Sequence, residues 1–464
     1  MKQLMFCLLL LNSVWVHAQA LDKVQITTSQ VSEMTDIGQL LKLSEQHKAA
    51  GEFAQQEVVL KRLVELRPYS PAFRMSLIKT YAQQNKKQQA YNDLIEFQKA
   101  GLSYPVRDLK GFENITSTPV FDYIEEGMAN NAKAFGEGSE AFSIPEGFSG
   151  MLFENLAYDA NDKRFLLGSV RTGAIYQQTE GGEFKAFIDP ANVENGPWGV
   201  VDLVVDAESD VLWTASATMP QYNGTTGQNF GKAMISRYQL STGTLQQNYV
   251  LKNAQPPVLF TALHVGAQHN VYFLNPMTSQ IFTIKKDGQA IEPLAALQSL
   301  SALKAITTNS DESIFYVSDF DQGVFAINKG TLQVAPMARS KNGFFAGISD
   351  LFYDDGDLVA IQSGVQPARL MRYVLKQDLL LQNMFPIEAA HPAFDGLGNG
   401  TLVDDKLYYV ANSQWSKMDP LGRLAADQQW APVVVLQSPT KYRMEEHMEQ
   451  QRKMEEIKKR RGIK

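Results

Sequence analysis

From Asp36 to Leu102 the apolar positions fall at helical spacing, with no strand-like alternation. Leu43, Leu60 and Leu63 mark one stretch, and Leu77, Leu94 and Phe97 mark a second, offset by 34 residues. His47 and Tyr81 hold matching places in the two copies. Gly51 suits the tight turn of the first helix pair, and Asn85 stands at the same place in the second. Pro68 follows the first pair, where its missing N–H does no harm. Phe121, Ile124 and Met128 continue the spacing and predict a helix that caps this segment, which we place at 34–135. Beyond Gly136 the period changes. Short β-branched and aromatic runs, broken by Gly, Asn and Asp, predict strands.

One strand unit recurs six times within 145–440. It opens as ENLAYD from Glu154, VDLVVD from Val201, TALHVG from Thr261, KAITTN from Lys304 and SDLFYD from Ser349, and the sixth copy lies around Leu397–Val403. The first five starts are 47, 60, 43 and 45 residues apart. A period in the forties with several strands per unit is a propeller signature. The expected fold is therefore mainly β: a six-bladed β-propeller with an N-terminal α-helical domain. No blade can bury its faces alone, but six in a ring bury each other's. The long second interval suits an inserted loop at Pro220–Gly231, placed at a blade mouth where it could cover the channel.

Composition narrows the function. Of 464 residues, 44% are hydrophobic, which fits a globular chain. Lys+Arg 43 against Asp+Glu 50 gives a net charge of −7, too acidic for a general nucleic-acid binder. Residues 1–20 combine a basic start, a short apolar run and the small-x-small site Ala18-Gln19-Ala20. They read as a secretory signal peptide cleaved after Ala20, which places the protein in the periplasm or outside the cell. The run is shorter than the ~20 apolar residues of a membrane span, and no later stretch is long enough. The only cysteine, Cys7, lies inside this signal, so the mature chain is expected to lack disulfides, thiolate nucleophiles and zinc–cysteine sites. The tail, 441–464, carries Lys+Arg 9 and Glu 5 and reads as a solvated helix or flexible extension. Its final KKRRGIK could touch anionic lipid or an acidic partner.

Two resemblances follow from these stretches. GEFAQQEVVLKRLVELRP resembles a tetratricopeptide repeat, with Gln56 and Ala90 where the two helices cross. That resemblance implies a groove for a peptide or partner protein, or else a helical prop packed on the next domain. FENLAYDANDKRFLLGSVRTGAIYQ resembles the opening blade of the regucalcin/gluconolactonase family and of strictosidine-synthase-like propellers, and SDLFYDDGDLVAIQSGVQPARLMRY and GTLVDDKLYYVANSQW resemble late blades. The family binds one divalent cation, usually calcium, in its central channel, and the metal polarises a lactone carbonyl.

Carried over residue by residue, the resemblance makes Glu154 the metal ligand, whereas the later places hold Val201, Thr261, Lys304 and Ser349. Lys304 would repel a cation. It or Arg171 could instead pair with Glu154 across the channel. A shift of one residue brings in Asp202 and Asp350, as ligands or catalytic bases, or as turn and inter-blade hydrogen bonders. Arg171, Asp319, Gln362 and Asn412, near strand ends, are the candidate ligand-binding residues, with loop support the alternative. His264, His269 and His391 read as ordinary packing or surface histidines. Two functions remain open: a calcium-dependent lactone or ester hydrolase, and a binding or scaffold protein that takes a small molecule in its channel or a protein partner on its helices. The departures at 201, 261, 304 and 349 favour the second.

Overall fold

The computed structural model describes residues 28–190, 196–252, 255–337 and 344–441. The signal peptide expected at 1–20 and the tail from 442 onward lie outside the described residues. Helices come first: α1 (Thr28–Glu33), α2 (Ile37–Ala49), α3 (Phe53–Leu66), α4 (Pro71–Gln83), α5 (Lys87–Lys99), α6 (Glu113–Thr116) and α7 (Pro119–Asn131). Helix α2 starts where Asp36 accepts the Gln39 N–H at 2.9 Å. Prolines open α4 and α7, where their fixed φ suits the first turn. The first members of the two pairs begin at 37 and 71 and the second members at 53 and 87, so both intervals are 34. Gly51 and Asn85 take left-handed φ of 70° and 57° at the turns between helices. Gln56 is buried at the crossing and is held by Ser44 and Thr80. Helix α7 buries Phe121, Ile124 and Met128, the three residues that spacing placed on its inner face.

Six four-stranded antiparallel sheets follow. Their innermost strands are Phe153–Asp159, Gly199–Asp206, Thr261–Val265, Leu303–Thr308, Ile348–Asp354 and Gly400–Val403, which define blades 1 to 6. The architecture is a mainly β six-bladed propeller with an N-terminal helical region. Blades 1 to 5 are each built from consecutive strands. Blade 6 takes its outermost strand, Ser139–Ser143, from the beginning of the propeller, paired antiparallel with Val434–Pro439. The ring thus begins before residue 145, because this strand joins first blade to last. Gly136 and Gly138 pass under Glu388 of blade 5, whose carboxylate accepts the Gly138 N–H at 2.7 Å.

The helical region shares one continuous apolar core with blades 4 and 5. Phe344 packs edge-on against Tyr69 and Phe97, with ring centroids 5.6 and 5.9 Å apart. The Ser103 N–H donates to the Gln366 carbonyl at 2.7 Å. Packing against the propeller is therefore a direct feature of this region. No helix among the described residues is long and apolar enough to cross a membrane.

Candidate functional site

The repeated hexapeptide lines the central channel, and its positions do different jobs. The third is an apolar anchor: Leu156, Leu203 and Leu351 are all buried. The sixth organises the hairpin that follows. Asp159 accepts the Asn161 N–H and pairs with Arg164, Asp206 accepts the Ser209 N–H, and the Asn309 side chain accepts the Ile314 N–H. At the first position the pairing register slips, between Val200 and Asp202, Leu303 and Ala305, and Ile348 and Asp350, and between Phe153 and Leu156 in blade 1. Val201, Lys304, Ser349 and Glu154 are thus bulge residues, taken out of the ladder and re-aimed.

The second position joins neighbouring blades. Asn155 donates through Nδ2 to the Val201 carbonyl of blade 2 at 2.6 Å. Asp202 accepts its own neighbour's N–H, Leu203, at 2.8 Å, and that of Leu263 in blade 3 at 2.7 Å. Asp350 repeats this with Leu351 at 2.9 Å and Gly400 of blade 6 at 2.9 Å. Each oxygen of both aspartates therefore has a backbone donor.

Three acidic groups and one lysine share this part of the channel. Burial pushes Glu154 up to about 8; Lys304 opposes the rise, while Asp202 and Asp350 add to it. Burial likewise pushes Asp202 up to about 7 against its backbone donors, and Asp350 up to about 8. Glu154 Oε2 is closed off from solvent and has no hydrogen-bond partner among the described residues. Lys304 is exposed and lies 5.7 Å from the Phe320 ring centroid. Asp202 and Asp350 also line a cavity of about 290 Å³ with His264, Thr307 and Asn399. His264 bonds Thr308 at 2.9 Å, and burial lowers it to about 4, so it is neutral. The sequence reads His264 as an ordinary packing or surface histidine, and position four of one hexapeptide carries no motif that would place it on the cavity wall.

The other candidates do not converge on this cavity. Arg171 donates to the Gly422 carbonyl at 3.2 Å and lies over Trp430. It sits where the Pro220–Gly231 loop meets the 413–431 segment of blade 6, with the Asn223 N–H donating to the Arg171 carbonyl. Asp319 accepts four backbone N–H groups, from Ser301, Ala302, Asp321 and Gln322. Gln362 donates to the Phe344 and Ala346 carbonyls and accepts from Arg369. Asn412 bonds the Pro432 carbonyl and the Val434 N–H. All four hold loop backbone. His269 pairs with Asp206, and His391 accepts the Ala393 N–H.

A calcium ion requires several converging oxygens. Among the described residues no three His, Asp or Glu side chains form a metal-ligand group. The unpartnered Oε2 of Glu154 is a single acceptor, with a lysine among its neighbours. The residues present do not fit the family's calcium centre.

No known family model matches the chain, and no curated protein matches its sequence. Among solved structures, the chain is similar to the PQQ-bound aldose sugar dehydrogenase from Streptomyces coelicolor, at 16% identity over 66% of this chain and 99% of that one, with a TM-score of 0.44. It is also similar to a gluconolactonase from Xanthomonas campestris, at 12% identity over 66% and 97% of the two chains, TM-score 0.41. A third is regucalcin, a calcium-binding protein from Agrobacterium tumefaciens, at 12% identity over 63% and 92%, TM-score 0.43. These likenesses concern the fold alone; the six-bladed assignment rests on the chain's own strand order.

Proposed function

We propose that this is an exported binding or scaffold protein, with a propeller channel that takes a small ligand and tetratricopeptide-like helices that present it to a partner. Export is supported by the signal-like residues 1–20. The observation that carries the binding reading is the use of Asp202 and Asp350: both carboxylates accept N–H groups of the neighbouring blade, which leaves Glu154 without ligand partners. One observation favours the alternative, a lactone or ester hydrolase. Glu154, pushed up to about 8, holds a proton at neutral pH and could act as a general acid. Thermal melting with and without calcium, together with a lactone panel, separates the two. Absence of turnover and a calcium-independent melt support binding. Turnover that is lost in Glu154→Gln overturns it in favour of the hydrolase.

A further inference from the structure

The helical region and blade 5 line a second cavity, open to solvent and of about 570 Å³. Its ionisable wall residues are Arg369, Lys99 and Lys133, and among the described residues no carboxylate lines it. Arg369 is only 3% exposed. Its Nε donates to Gln362 at 2.6 Å, and Nη1 donates to the Ala100 carbonyl at the end of α5 at 2.7 Å. These bonds tie α5 to blade 5, and the helix dipole offsets part of the charge. They leave Nη2 shut off from solvent with no partner. Among the described residues, the groups that act on its charge are the tyrosines Tyr373 and Tyr104. Tyr373 is itself buried with an unpartnered hydroxyl. Neither exposed lysine is in an ion pair among the described residues, and Lys133 bonds only the Asn130 side chain.

A buried guanidinium without a counter-charge is costly, and its planar fork matches a carboxylate or phosphate. From this we infer that the cavity binds a small organic anion. Its carboxylate or phosphate group meets Arg369, Lys99 and Lys133, and its apolar part lies on Phe135, Met371 and Met384. The site is separate from the channel and independent of what the channel binds.

The test is calorimetric titration of the full chain with hexanoate, hexanamide and inorganic phosphate. Saturable binding of an anion is expected, with hexanamide weaker than hexanoate by about tenfold or more. The double variant Lys99→Gln/Lys133→Gln changes only exposed side chains and should weaken the anion by about fivefold to tenfold. Tighter hexanoate than phosphate assigns a carboxylate ligand, and the reverse order assigns a phosphate ester. The proposal is overturned if neither anion binds saturably, if hexanamide binds as well as hexanoate, or if the double variant binds like the wild type.

Discussion

Glu154→Gln tests the electrostatics of the channel directly. The side chain keeps its size and loses its charge. In the folded protein the carboxyl is pushed up from 4.5 to about 8, first by burial. Between these values the folded state keeps a proton that the unfolded state has released. Stability then falls as pH rises, by about 1.4 kcal/mol per pH unit for one group. The glutamine variant lacks this loss. Its stability relative to wild type should therefore grow by about 2.5 kcal/mol from pH 5 to pH 7. Asp202, Asp350 and His264 also titrate differently in the two states, but they are common to both proteins, so the difference reports residue 154 together with its coupling to the two aspartates. Urea unfolding at pH 5, 6 and 7 measures it. A difference that stays flat would mean that Glu154 titrates in the fold as it does in the open chain. A difference that shrinks with pH would mean that Lys304 or a bound cation holds the carboxylate ionised, and the reasoning would fail.

Gly136→Ala should cost about 2 kcal/mol in urea unfolding, because φ is 115° there and an added Cβ would lie 2.7 Å from the Ile387 carbonyl; no change would mean that this crossing does not support ring closure. Phe344→Ala should cost about 3–4 kcal/mol and speed proteolysis of the helices, since that ring fills the seam between Tyr69 and Phe97; a stable, protease-resistant variant would argue against a shared core. The His264 ring, lowered to about 4, should show no NMR titration between pH 6 and 8; a midpoint in that range would refute its burial.

The blades were legible because each inner strand repeats the same tasks. An apolar third residue anchors it, and an Asp or Asn at the sixth, in blades 1, 2 and 4, starts or pins the hairpin that follows, while Asp354 at that place in blade 5 pairs with Arg372. Five of the starts, at 154, 201, 261, 304 and 349, fall on inner strands. The closing strand Ser139–Ser143 was not legible. It is short, three of its five residues are exposed, and its partner lies at the far end of the propeller, so no local pattern encodes the pairing. Docking of the helices is one of the two readings the repeats leave open, but its contacts were hidden for the same reason. Phe97 reads as apolar, but nothing near it or Tyr69 in the chain names Phe344 as their contact.

The channel was harder to read, and the bulges explain why. In a regular strand, the first and second positions of the hexapeptide face opposite ways. A bulge at the first position breaks that alternation, so an assignment by period alone cannot separate Glu154 from the Asp202 and Asp350 series. The hydrogen bonds separate them. Asn155, Asp202 and Asp350 occupy one position and perform one task with opposite polarity: the amide donates to the next blade's carbonyl, and the carboxylates accept the next blade's N–H. These three residues build the ring. The Glu154 and Lys304 side chains occupy the bulged position, outside those ties. On the proposed hydrolase alternative, the chemistry of this end of the channel would be sought at Glu154, whose carboxyl burial raises to about 8.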